Sequence, residues 1–225
     1  MSTGELSVNS VLKLRAKQLA ISKKEFRARG AKLKRCDHCL IDINECICDG
    51  IQEAQCGLAV CMLMYHNESF KPSNTGRLIA DVISENFAFR WDRTDPDKDF
   101  LALINDEQYQ PLIIFPADNI EQYRVVETIS RIKGKKPLLI FLDGTWREAK
   151  KMIRKSPYLD QFPVLSITPD KLSEYKLRVA VHENHLGTAE VAIMVLELAN
   201  ELDAAKKLSQ HFEDFREAYL KCKKR

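Results

Sequence analysis

The chain has 225 residues, 45% of them apolar, enough to bury one sizeable core with a small appendage, and it has no run of 18 apolar residues that could span a membrane. Its first residues, MSTGELSVNS, lack the basic start and apolar stretch of a secretory signal, so a soluble cytoplasmic protein is expected. The net charge of +3 hides an asymmetry: residues 11–35 hold ten Lys and Arg against one acid, Glu25, leaving 25 basic and 31 acidic residues elsewhere.

In chain order, residues 1–9 read as disordered and 10–29 as a helix, with Leu12, Leu19 and Phe26 among its bases. A basic arm on a mildly acidic body fits a polyanion partner, gripped by Lys23, Lys24, Arg27, Arg29, Lys32, Lys34 and Arg35. A solvated helix face is the plainer alternative. The tail, Lys221 to Arg225, adds a smaller basic cluster. Cys36, Cys39, Cys46 and Cys48 then crowd into thirteen residues. Thiolates at C-x2-C spacing suit a structural tetrahedral Zn2+ site, and a metal would offset the lack of a core in so short a segment. His38 could replace one cysteine, an iron–sulfur cluster needs the same ligand count, and free thiols are the third possibility. The odd total of seven cysteines argues against a disulfide framework.

Beyond residue 52 apolar runs alternate with helical stretches. Leu58–Tyr65, Pro111–Phe115, Leu138–Leu142 and Val164–Ile167 read as strands buried on both faces, and Phe87–Arg90 as a short one. Gly76–Ser84, Phe100–Asn105, Glu121–Lys133, Thr145–Lys155, Thr188–Leu208 and Phe212–Cys222 read as helices. The fold class is therefore α/β, a mostly parallel sheet flanked by helices, with ligands beyond the carboxyl ends of the strands. The expected division is a basic arm over 1–30, a four-cysteine zinc module over 31–52 and a catalytic domain over 53–225.

Three polar helix starts lie in the loops that this topology places together. The first runs from His66 through Ser73, Asn74 and Thr75 to Gly76, and its backbone N–H groups favour an anionic group such as a carboxylate. The second is Asp143-Gly144-Thr145-Trp146. The third is Leu186-Gly187-Thr188-Ala189-Glu190, where Gly187 permits close backbone approach. Phe115-Pro116 ends a strand beside them. No G-x-G-x-x-G or Walker motif is present, so a dinucleotide or NTP site is unsupported, and no nucleophile motif occurs. Asp143 is the prominent acid. It could cap the helix starting near Thr145 or act as a general base, and Trp146 could pack or stack on a ring. His66, His182, His185 and His211 read as surface or packing residues.

Asp143-Gly144-Thr145-Trp146 resembles the D-x-T-W signature of the DTW-domain family. The cysteine cluster, the Ser73–Leu78 loop and the Leu186–Glu190 segment match that family in order and rough spacing, over about residues 30–205. The resemblance, closest to the bacterial tRNA-modifying members, implies S-adenosyl-L-methionine as co-substrate and transfer of its 3-amino-3-carboxypropyl group to N3 of a uridine in tRNA, releasing methylthioadenosine. It also implies kinship with the SPOUT methyltransferases and a trefoil-knotted cofactor site. Under this resemblance Asp143 and Trp146 are the catalytic candidates. Ser73, Thr75, Phe115, Pro116, Leu142, Asp143, Gly144, Leu186, Gly187 and Thr188 are the cofactor-binding ones. The chain departs from the family pattern at Gly187 and at Asn67, which follows His66 where a proline is expected. The competing expectations are a ribosomal-RNA substrate, a SPOUT-type RNA methyltransferase and a non-enzymatic zinc-containing RNA-binding module. A monomer is the expected state.

Overall fold

The computed structural model describes residues 8–22, 33–116, 120–166 and 187–223. The elements are α1 (Ser10–Ile21), β1 (Ala59–Met64), α2 (Gly76–Val82), β2 (Asn86–Arg90), α3 (Lys98–Ile104), β3 (Tyr109–Ile114), β4 (Val125–Val126), β5 (Lys136–Asp143), α4 (Trp146–Arg154), β6 (Val164–Leu165), α5 (Thr188–Leu198) and α6 (Leu202–Lys223). The strands form one sheet in the order β2-β1-β5-β3-β6-β4, and every pairing is parallel.

The continuous apolar runs follow from burial on both faces. Along β1 and β5 alternate side chains enter opposite cores. Val60, Met62, Met64, Leu139 and Phe141 pack with α2, α5 and α6. Ala59, Cys61, Leu63, Leu138, Ile140 and Leu142 pack with α3 and α4. Period-two alternation places both sets inside only because helices cover both faces. Val11 of α1, with Cys39 and Ile41 of the cysteine segment, joins the first core.

Two elements differ from expectation. Glu121–Lys133 reads as helix but contains a single 3-10 turn, Gln122–Arg124, followed by β4, which pairs with β6 through Val125 and Val126. The helix read as Thr188–Leu208 ends at Leu198. Asn200, at φ 60°, turns the chain into one long helix, α6, that absorbs Phe212–Cys222. The expected disorder of 1–9 falls on residues outside those described as far as Met1–Ser7, and the helix expected to reach residue 29 is described only as far as Ile21.

The chain leaves β1 toward β2 at one edge and leaves β3 toward β4 at the other, and β5 returns between β1 and β3. Chain paths diverging from adjacent strand ends open a crevice at their carboxyl termini. Tyr65, Asp143 and Phe115 stand at the ends of β1, β5 and β3, and the Tyr65 N–H donates to the Asp143 carbonyl at 2.8 Å.

Candidate active site and metal centre

Asp143 ends β5 and is 3% exposed. Its carboxylate does not cap α4. Thr145 does: its Oγ1 accepts from the Glu148 N–H at 3.4 Å, and the Glu148 carboxylate accepts from the Thr145 N–H at 2.8 Å. That reciprocal box satisfies the helix start and leaves Asp143 free for other partners.

Those partners come from the other two loops. Asn74 Nδ2 donates to Asp143 Oδ2 at 2.7 Å, and Thr188 Oγ1 donates to Oδ1 at 2.5 Å. Asn74 is itself fixed, its Oδ1 accepting from the Arg77 N–H at 3.1 Å. Thr75 Oγ1 accepts from the Ala189 N–H at 3.3 Å, tying the first loop to the start of α5. Gly187 N–H donates to Glu190 at 2.6 Å. A Cβ on Gly187 would lie 3.0 Å from Thr75 Oγ1, so glycine allows the loops to touch. Burial pushes the Asp143 carboxyl above the usual carboxylate range, against the pull of the Thr188 and Asn74 hydrogen bonds and the more distant Lys71. No cation of the described residues makes an ion pair with it.

The three predicted loops thus converge, through Thr75, Asp143 and Thr188. Asn74 was missed, although it stands between two named residues. Ser73 is exposed. Phe115 and Leu142 are buried, Pro116 and Gly144 half-buried, and Leu186, His182 and His185 lie outside the described residues. Trp146 is 45% exposed, and its ring stacks on Phe115 with centroids 5.3 Å apart.

Cys36, Cys39, Cys46 and Cys48 meet with all four sulfurs within 4.8 Å of one another. The Cys36–Cys48 and Cys39–Cys46 sulfurs are 3.6 and 3.7 Å apart. A tetrahedron with Zn–S bonds of about 2.3 Å has edges of about 3.8 Å, so the donor set fits a zinc ion. Burial raises the Cys36 thiol, but the Cys39 and His38 backbone N–H groups and the neighbouring sulfurs bring it down to about 7. His38 turns its Nε2 to Asp81 at 2.9 Å instead of joining the sulfurs. Arg77 is fully buried within electrostatic reach of Cys36, Cys39 and Cys48, and its Nε and Nη2 have no hydrogen-bond partner among the described residues. A four-thiolate zinc centre would carry net negative charge, and this guanidinium, which also pairs with Asp81, is a buried cation within reach of it.

A network that sequence reading did not anticipate joins this centre to α2, α6 and the start of α1. Asp81 accepts from Asn9 Nδ2 at 2.6 Å, lies 3.0 Å from His211 Nε2 and pairs with Arg77 at 3.4 Å. Desolvation alone would raise its carboxyl, yet His211, His38 and Arg77 hold it well below the usual range. His211 is buried, and its role is to close this network. Of the predicted RNA-binding residues, Lys34 is exposed, whereas Arg35 donates to the Leu40 carbonyl at 2.9 Å. Lys23, Lys24, Arg27, Arg29 and Lys32 lie outside the described residues.

No solved structure matches the chain. The model of the DTW domain matches residues 33–220, which include both the cysteine centre and the Asp143 site, and the chain belongs to the DTW-domain family.

Proposed function

We propose that this protein transfers the 3-amino-3-carboxypropyl group of S-adenosyl-L-methionine to N3 of a uridine in tRNA, releasing methylthioadenosine. Family membership is consistent with a tRNA-modifying activity. The observation that carries the reading is the state of Asp143: buried, oriented by two donors, raised in basicity and without a cation paired to it among the described residues. A buried, oriented carboxylate of raised basicity suits proton abstraction.

S-adenosylmethionine, when bound, supplies an alkyl carbon activated by a sulfonium. The chain supplies position. The Phe115–Pro116, Leu142–Gly144 and Leu186–Thr188 segments hold the adenosine and methionine parts, and the Ser73–Thr75 loop takes the amino-acid end. Uridine N3 is blocked when paired, so the base is received splayed out of its RNA. Asp143, aimed by Asn74 and Thr188, takes the N3 proton. The cysteine centre is a structural zinc site held by Cys36, Cys39, Cys46 and Cys48. The same reading makes the protein a cytoplasmic monomer with a basic arm over 1–30, a zinc module over 31–52 and a SPOUT-like, trefoil-knotted domain over 53–225. The all-parallel sheet with its polar loops at the central carboxyl ends supports that kinship.

The test is mass spectrometry of purified protein, S-adenosylmethionine and unmodified total tRNA. Methylthioadenosine together with a heavier uridine is the expected result. S-adenosylhomocysteine would make the protein a methyltransferase and overturn the reading. Methylthioadenosine formed only with ribosomal RNA would move the substrate and keep the chemistry.

A further inference from the structure

Helix α4 has two faces with opposite character. Ala149, Met152 and Ile153 are buried against the sheet. Arg147, Lys150, Lys151 and Arg154, spaced i, i+3, i+4 and i+7, share the other face and are exposed. None of the four is ion-paired among the described residues, although acidic side chains outnumber basic ones outside residues 11–35. A helix face that presents four cations without carboxylate partners among the described residues is complementary to a polyanion.

The aromatic residues beside it narrow the class of polyanion. Trp146 opens α4, three residues after Asp143, with its ring stacked on Phe115 and the Lys150 ammonium 4.8 Å from the ring centroid. Tyr65 and Trp91 form a second stacked pair, 5.4 Å apart, but Trp91 is buried, and Lys151 donates to the Tyr65 hydroxyl at 3.0 Å. A purely structural tryptophan would be covered; this one is 45% exposed. Aromatic rings interleaved with cations recognise unpaired nucleotides, whose bases stack while their phosphates pair with the cations. A duplex, with its bases already stacked, would leave the ring unused.

We propose that the basic face of α4 is the surface on which an unpaired stretch of the substrate RNA lies, one base taking the Trp146 ring as Lys150 moves from it to a phosphate. The proposal rests on the uridine-modifying reading above and deepens it. It places a phosphate grip beside Asp143. The geometry agrees with that reading: the helix that presents the cations starts just beyond the strand that ends in Asp143.

The experiment is fluorescence anisotropy of the full-length protein with labelled, unmodified tRNA and with a single-stranded uridine-rich oligonucleotide, across a salt series. The Lys150→Ala/Arg154→Ala variant is compared with Lys98→Ala/Lys206→Ala on other surfaces. Loss of two phosphate contacts should weaken binding about tenfold and flatten the salt slope by about 1.4. The control variant should bind as wild type, and S-adenosylmethionine binding by calorimetry should be unchanged in both. In a Trp91→Phe background, the oligonucleotide should quench the emission of Trp146, and its duplex form should not. Wild-type affinity and slope in the α4 variant, with wild type itself binding RNA, would overturn this surface and leave the proposed activity standing. Wild-type protein that binds neither RNA would overturn both.

Discussion

Gly76 opens α2 directly against the Asp143 carboxylate, and its replacement by alanine isolates the position of that group. A Cβ there would lie 2.8 Å from Asp143 Oδ2, 3.2 Å from its Cγ and 3.4 Å from Asn74 Oδ1. Non-bonded carbon contacts settle at about 3.5–4.0 Å, so something must give by about half an ångström. All seven residues of α2 are buried, so the helix is poorly placed to recede, and the carboxylate moves. That strains its bonds from Asn74 and Thr188 together. Alanine gains up to about 1 kcal/mol of helix propensity over glycine, and overpacking costs about 1–3 kcal/mol, for a net loss of about 0–3 kcal/mol. At this chain length the melting temperature should fall by no more than about 12 °C, so the variant should fold. Turnover should fall about 10- to 100-fold, since a displacement approaching 1 Å at a reacting centre can cost about 100-fold. Scanning calorimetry and methylthioadenosine release measure the two effects. Gly134→Ala is the control: no atom lies within 4 Å of its Cβ, but its φ of +83° strains an L residue, so stability should drop and turnover should not. A folded Gly76→Ala protein with wild-type turnover would refute the assignment of Asp143 as base.

Asp143→Asn should abolish most turnover, about 10²–10⁴-fold, with S-adenosylmethionine affinity nearly intact; a matching loss of affinity would make the carboxylate the counter-charge of the sulfonium instead. Because the folded-state carboxyl is raised, its ionised form disfavours folding at neutral pH. The asparagine variant should therefore melt no lower than wild type at pH 8, and any advantage should vanish as pH falls through the raised value toward about 4. A clearly lower melting temperature at pH 8 would contradict that sign. Asp81→Ala should cost about 3–5 kcal/mol, because it strands Arg77 and His211 in the core. The Asp81 carboxyl is depressed, so its contribution is present above about pH 4 and lost below it, and the variant should lack that part of the acid destabilisation seen in calorimetry. Elemental analysis should find about one zinc per chain, and chelation or Cys39→Ser should lower the melting temperature; an unchanged melt after metal removal, or visible iron–sulfur absorption, would reject a structural zinc.

The strands were legible because a parallel sheet covered on both faces writes itself as uninterrupted Val, Ile and Leu, as in Leu138–Leu142. The segment 121–133 was not, since Val125, Val126, Ile129 and Ile132 fit a helical period as well as any other. The pairing of Val125 and Val126 with β6 is a tertiary fact. In the site, Asp143, Thr188 and Thr75 stood out as polar residues at helix starts. Asn74 did not, because an asparagine in a loop is equally a turn former. Arg77, Asp81 and His211 lie on helices where charged residues ordinarily face water. Nothing local reveals that partners 130 residues apart, Asp81 and His211, are buried against each other.

That buried network explains why so short a helix can hold the site still. Asn74 orients Asp143, the Arg77 backbone N–H fixes Asn74, and the Arg77 side chain pairs with Asp81 one turn on. Asp81 in turn is held by Asn9 before α1, His38 between two of the cysteines and His211 on α6. Each of these partners belongs to a different segment, so the Asp143 carboxylate inherits its position from the whole flank of the sheet rather than from its own loop. On the proposed reading, a base held this way is oriented before substrate arrives, which is where positioning contributes to rate. The same chain of contacts links the cysteine centre to the candidate site although none of its sulfurs hydrogen-bonds Asp143. A metal there would fix the segment that carries His38, which helps hold Asp81, and α2 joins Asp81 to the Arg77 N–H that fixes Asn74.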